Sequence, residues 1–462
     1  MQVLKFLFFF LILNPIKLWP QTESDAIFIK NIHDHILKDG KCYQWLETLS
    51  EEIGGRLTGS DNAKKAVNFT GGELEKIADN VTYQKIMVPH WIRGKAEKVG
   101  IIDESGNISK GLNVTALGNS VGSGPQGVTA EVIEVKSLDE VKELGKDKIK
   151  DKIVFYNRPM DPTLVNTFHA YGGAGDQRVN GPSVAAEYGA VAVVVRSLTT
   201  LTDNVPHTGT LRYKEGVTKI PAVAVSTIHA DILSEKLSKK SVKLYLETHS
   251  KMLSDKPSYN VVAEIKGSEF PNQIILVGGH LDSWDLAGGA HDDGAGCVHA
   301  MEVMSTLKVL GYTPKRTLRV VLFMNEENGL AGGREYARIS KEKEEYHMAA
   351  IESDAGGFTP RGFGCSAEDE VFATLYKNLT GFSPYLEPYN LHFQKGGGGA
   401  DINPLKDQKG LLIGFRPDSQ RYFDFHHTAN DNIQAVNERE LKLGAAAITS
   451  LVFLIDKYGL EK

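Results

Sequence analysis

Residues 277–297 read VGGHLDSWDLAGGAHDDGAGC, which puts two histidines and four aspartates into a glycine-rich connection after an apolar run. Crowded carboxylates repel one another and resist losing water, so a positive group is expected among them. Further along, Glu326 and Glu327 close a second apolar run, Asp354 closes a third, and FDFHHTANDN carries His426 and His427. Nitrogen and oxygen donors without sulfur suit zinc, and equally manganese or cobalt. The number of donors suits two ions. Two dications about 3.5 Å apart repel by roughly 19 kcal/mol at an effective dielectric of about 20, so a carboxylate must sit between them. One terminal histidine and one terminal carboxylate per ion would complete the shell. Such a pair makes bound water acidic near pH 7 and polarises a carbonyl, which is hydrolytic chemistry.

The elements that must position these residues repeat as strand, loop and helix from 258 onward. NQIILVGGH, TLRVVLFMNEE, MAAIESDAGG and KGLLIGFRP read as buried strands. GAGCVHAMEVMSTLKVL and GGREYARISKEKEEYH read as helices, and the apolar run 444–455 as a buried final helix too short for a membrane anchor. The alternation predicts an α/β fold: a mainly parallel mixed sheet with helices on both faces. In such sheets ligands bind beyond the carboxyl ends of the strands, where the polar clusters fall.

The set HLD, AHDDGAG, NEENGLAGG, SDAGG and HHTANDN, spread in order over residues 280–432, resembles the M28 family of di-zinc metallopeptidases. The resemblance implies the zinc exopeptidase fold and two Zn2+ per chain. His280 and Asp354 would hold one zinc, Glu327 and His427 the other, and Asp292 would bridge them. Asp282 would orient His280 through its other ring nitrogen. Glu326 would be the general base for a metal-bridging hydroxide attacking a peptide carbonyl. Many relatives carry tyrosine before the last histidine ligand; here His426 stands there and is the candidate oxyanion donor.

A secretory leader, a protease-associated insertion, SPY…GGGGADI and FDFHHT look like a secreted carboxypeptidase branch of that family. This implies a homodimeric dipeptidase acting on short peptides, chiefly dipeptides with free termini, made as a zymogen. Gly398 and Gly399 of the glycine run, and Arg416, are candidate substrate-binding residues. Alternatives are an aminopeptidase trimming longer peptides, a one-metal glutaminyl cyclase, and a metal-free binding ectodomain. Asp293 and His291 are expected in turn hydrogen bonds, and Cys297 and His299 in a helix core. GNSVG at 118–122 lacks the helix a nucleophile elbow needs. HTGTLRY, residues 207–213, reads as a loop that could reach a partner's cleft.

The 462 residues exceed one core's usual size, and 41% hydrophobic with 24% charged residues is an ordinary globular composition. A net charge of −6 argues against a nucleic-acid partner. Lys5 before the apolar residues 6–13 resembles a signal peptide, too short to span a bilayer. Asn68, Asn80, Asn107, Asn113 and Asn378 head glycosylation sequons, consistent with a secreted or lysosomal product. The three cysteines, Cys42, Cys297 and Cys365, make neither a disulfide scaffold nor a thiolate metal site. The expected division is a signal peptide at 1–20, a possible propeptide at 21–44, a catalytic domain from 45–120 and 246–462, and an insertion at 121–245. GAVAVVVRS and IPAVAVSTIHADIL give that insertion its likeness to a protease-associated domain.

Overall fold

The computed structural model describes residues 23–460; the expected signal peptide lies outside them. The described residues build two mixed eight-stranded sheets. In the larger sheet, Arg316–Phe323, Phe270–His280, Tyr346–Glu352 and Leu411–Pro417 lie side by side and parallel. The flanking strands Lys251–Ile265 and Pro360–Ser366 join them antiparallel.

The central strands carry unbroken apolar runs because both of their faces are covered. Side chains alternate between faces with period two. Ile275, Val277, Val320 and Ile351 pack into the core beneath helices Ala295–Val309 and Glu438–Tyr458. Ile274, Leu276, Val321 and Ala350 pack on the opposite face with Tyr336 and Ala337 of helix Ala331–Glu342. The final helix is buried in the core as expected, and among the described residues no helix is long and apolar enough to cross a membrane.

Parallel strands end on the same edge. His280 lies opposite Phe323, and Gly278 opposite Glu352. Residues 280, 326–327 and 354 therefore leave the sheet together at its carboxyl edge.

The second sheet runs Ile108–Leu112, Lys98–Ile102, Lys243–Glu247, Val128–Val135, Ile153–Tyr156, Ala192–Arg196, Ala222–Val225, Val114–Ala116. It too carries apolar layers on both faces. It takes in strands from 98 to 116, ahead of the glycine-rich stretch read as the boundary. Val114–Ala116 pairs with Ala222–Val225, so glycine and proline mark a turn within this unit.

The segment expected as a possible propeptide includes helix Glu23–Asp39. Its Ile29, Ile32 and Ile36 are fully buried in the main core, and Asp25 pairs with Lys457 of the final helix. All three cysteines are buried and unpaired.

Candidate active site

Asp292 is the centre. Its Oδ1 lies 3.2 Å from His280 Nε2, which is itself 3.6 Å from Asp354 Oδ1. Its Oδ2 lies 3.1 Å from His427 Nε2, which is 3.1 Å from Glu327 Oε2. One carboxylate thus faces two histidine–carboxylate pairs with its two oxygens. Donors about 2.0 Å from a tetrahedral ion stand about 3.3 Å from one another, so these separations are those of ligands around cations. Asp292 Oδ2 and Glu327 Oε1 are buried and receive no hydrogen bond; a bound cation would satisfy them. Oxygen and nitrogen donors in two such groups fit zinc.

The loops that hold these side chains are braced from below. His280 ends its strand with its N–H donated to Asp293 Oδ2 at 3.0 Å. Its Nδ1 meets the backbone carbonyl of Asp282 at 3.0 Å, while the Asp282 carboxylate stands 4.0 Å away. The expected orienting contact is therefore made by the Asp282 main chain. The carboxylate instead accepts N–H groups from Asn325 at 2.7 Å, Glu326 at 3.1 Å and Glu327 at 3.3 Å. It fastens the turn that presents both glutamates. Asn325 begins that turn at φ 77, a left-handed conformation that asparagine tolerates better than most residues.

Two further residues complete the bracing: Arg56, which carries no signal in the sequence, and Asp431 of the HHTANDN stretch. Arg56 is fully buried and donates to the carbonyls of Leu281 at 2.6 Å and Gly289 at 3.0 Å, and to Gly288. Asp431 accepts the N–H groups of His291 at 2.7 Å and Asp292 at 3.1 Å. Gly289 has φ +54, and a Cβ there would stand 2.3 Å from Ser283 Cβ; the turn under Asp292 requires glycine.

Burial and mutual charge set the electrostatics. Burial pushes the Glu326 carboxyl well above its usual range, with Asp354, Glu327 and Asp282 adding to the effect against His280. Glu327 is pushed up to about 7 by burial and by Asp292. Burial opposes ionisation of Asp292, but His280 and His427 hold it well below the ordinary value. Burial works against protonating both of those rings, yet their carboxylate partners raise them well above the usual range. The cluster balances its own charges and leaves an acid–base group, Glu326, beside it.

The remaining candidates separate cleanly. His426 stacks on His427 with ring centroids 3.5 Å apart, and its Nε2 is 3.6 Å from Asp292 Oδ2. With Asp292 and His427 it forms a group of donors close enough to share an ion. His291 is turned away, stacked on Phe358 and bonded to the Ala435 carbonyl. Asp293 serves backbone N–H groups. His299 bonds Ser353 and the Leu441 carbonyl in the core. Ser120 is buried and accepts the Ala222 N–H.

A cavity of about 400 Å³ opens over Asp292, Glu326, Glu327 and Asp354, and its far wall includes Tyr171, Arg178 and Thr210 of the second unit. That volume suits a small ligand. HTGTLRY thus lies in its own chain's cleft: Thr208 donates its N–H to the His427 carbonyl at 2.9 Å. Gly398, Gly399 and Arg416 line an adjoining cavity of about 450 Å³ that shares Phe168, Leu330 and Asp354 with the first.

A family model described as Peptidase family M28 matches residues 260–452. Carboxypeptidase Q of Bos taurus is 35% identical over 421 residues, 89% of this chain and 85% of that protein. Carboxypeptidase Q of Homo sapiens is 34% identical over 418 residues, covering 89% and 85%. Among solved structures, a peptidase M28 precursor from Shewanella amazonensis SB2B is 32% identical with a TM-score of 0.88 over 95% of this chain and 98% of that one. A zinc aminopeptidase of Bacillus subtilis shares the fold at 20% identity, with a TM-score of 0.65 over 89% and 94%. The chain belongs to peptidase family M28 and is a metallopeptidase. Within that family, the two relatives named above at 34–35% identity carry the name carboxypeptidase Q.

Proposed function

We propose that the chain is a di-zinc exopeptidase that hydrolyses short peptides, chiefly dipeptides with free termini, releasing the C-terminal residue. The observation that carries this reading is the two-sided environment of Asp292, each oxygen facing its own histidine and carboxylate. His280 and Asp354 would hold one zinc, Glu327 and His427 the other, with Asp292 between them. When bound, the ions supply Lewis acidity and make water acidic near neutrality.

The protein's own groups do the rest. Glu326, half-buried in the cavity wall and with its proton affinity raised, takes a proton from the attacking water and returns it to the leaving amine. His426 offers its ring as a donor to the developing oxyanion. Asp282 keeps the glutamates in register through the backbone of Asn325–Glu327. Gly398, Gly399 and Arg416 receive part of the substrate in the adjoining cavity. The second unit acts as a protease-associated insertion that roofs the site. The leader-like N-terminus and exposed sequons favour a secreted or lysosomal glycoprotein, and the family resemblance favours a homodimer.

The test is hydrolysis of a dipeptide panel with free, N-acetylated and C-amidated ends, by zinc-loaded protein and by Asp292→Ala. Free dipeptides should be cut, blocked ones poorly, and the variant should lose activity by several orders of magnitude. Undiminished turnover after chelation, or in the variant, would overturn the reading. A second reading, trimming of longer peptides from the amino end, is motivated by 24% identity over 451 residues to aminopeptidase YwaD of Bacillus subtilis. Efficient cleavage of C-amidated substrates would favour it.

A further inference from the structure

Arg178 lies in the last turn of helix Thr167–Val179 in the second unit. Only 7% of it is exposed, and its Nε is buried without a hydrogen-bond partner. Among the described residues no carboxylate forms an ion pair with it. A buried guanidinium with neither a counter-charge nor hydrogen-bond acceptors is costly, and Arg56 and Arg319 of this chain avoid that state. Arg56 satisfies itself on backbone carbonyls, and Arg319 pairs with Glu264 and Glu345. Arg178 instead stands over the ring of Tyr171 at 5.3 Å and lines the cavity above the candidate metal ligands.

Its distance from those ligands is set by Gly209. A Cβ at Gly209 would meet Arg178 Nη1 at 2.5 Å and His427 Nδ1 at 2.7 Å. The guanidinium thus stands beside the Nδ1 edge of the His427 ring, whose other nitrogen faces Asp292 and Glu327. In a dipeptide, the terminal carboxylate lies one residue, about 3.8 Å of chain, beyond the bond that is cut.

Charge supports the same assignment. Asp292, Glu326, Glu327 and Asp354 line the cavity together with Arg178, Arg212 and Arg334. Two dications would neutralise the four carboxylates and leave the arginines uncompensated. Arg212 and Arg334 are exposed, so Arg178 is the charge that gains most from an anion. Arg416, the arginine marked in the sequence, lines the adjoining cavity together with the Glu352 and Asp354 carboxylates.

We propose that Arg178 binds the free C-terminal carboxylate of the substrate, and so sets the preference for unblocked dipeptides. The proposal rests on the exopeptidase reading and extends it to a specificity-determining residue. The test compares Ala-Phe with its C-terminal amide on the zinc-loaded full chain. The wild type should prefer the free acid. In Arg178→Met, kcat/KM on the acid should fall about 50-fold, mainly through KM, the loss of a charge-assisted pair. The acid-to-amide ratio should collapse toward one, and calorimetric affinity for free L-phenylalanine should fall with it. Arg178→Gln carries the same expectation should the methionine variant fail to fold, and Arg178→Lys should recover part of the ratio. Zinc content and thermal melting verify that each variant is intact. A variant that keeps the wild-type ratio overturns the role of Arg178 alone. A wild type indifferent to amidation overturns the exopeptidase reading, and this assignment with it.

Discussion

Replacing Asp282 by asparagine separates two ways in which that residue could serve the site. One carboxylate oxygen accepts from Asn325 and Glu326 at 2.7 and 3.1 Å, and the other from Glu327 and Thr58 at 3.3 Å each. An asparagine best keeps its carbonyl toward the shorter pair, which turns its NH₂ toward the Glu327 N–H. That buried donor is then unpaired, at a cost of about 1–3 kcal/mol. The loss falls on the turn that presents Glu327. Zinc affinity at the Glu327–His427 site should therefore drop about 10- to 100-fold. The His280 ring keeps its partner, because that partner is the Asp282 carbonyl at 3.0 Å. The assay is zinc competition against a fluorescent chelator in two backgrounds that each leave one site. With His280→Ala, Asp282→Asn should weaken the remaining site by that factor. With His427→Ala it should change the remaining site by less than about threefold. The opposite pattern would refute the reasoning and return Asp282 to the role of orienting His280.

Removal of residues 23–39 should destabilise the fold severely, since burial of Ile29, Ile32 and Ile36 alone represents about 5–9 kcal/mol; an unchanged urea midpoint for the truncated chain would refute this. Burial lowers His33 and His347 to about 4, below the roughly 6.5 of an unfolded histidine. Their contribution to stability should be intact above pH 6.5 and be lost as pH falls toward 4, by up to about 3 kcal/mol each; His33→Phe should flatten part of that slope in urea titrations. Peptide mapping after glycosidase treatment should find glycan on exposed Asn68, Asn80 and Asn107. Occupancy should be lower at Asn113 and Asn378, whose amides donate to the carbonyls of Asn204 at 3.1 Å and Leu460 at 2.8 Å.

The convergence of His280, Asp292, Glu327 and Asp354 was legible because they follow apolar strands, and parallel strands deliver their ends to one edge; His427, in the loop after Tyr422–Phe425, was legible only through the HHTANDN resemblance. The two-faced core was legible for the same reason: strands covered on both sides carry long unbroken apolar runs, such as Val320–Phe323 and Ile274–Val277. The bracing was not legible. Arg56 is some 225 residues from the carbonyls it holds, and nothing in its neighbours distinguishes a buried arginine from a solvated one. Arg178 was hidden in the same way. The Asp282 contact differed by a main-chain carbonyl against a side-chain carboxylate, a choice made by loop geometry that residue types do not encode. The glycine-rich stretch at 118–127 carries turn chemistry, and turn chemistry alone does not tell a loop within a unit from a boundary between two. The roof over the cavity depends on how the second unit docks, which no local pattern records.

Anomalous diffraction from crystals grown with zinc tests the shared-carboxylate arrangement directly. Two peaks of comparable height about 3.5–4 Å apart, one beside each oxygen of Asp292, are the expected result. A single peak, or two peaks with Asp292 touching only one of them, would contradict it.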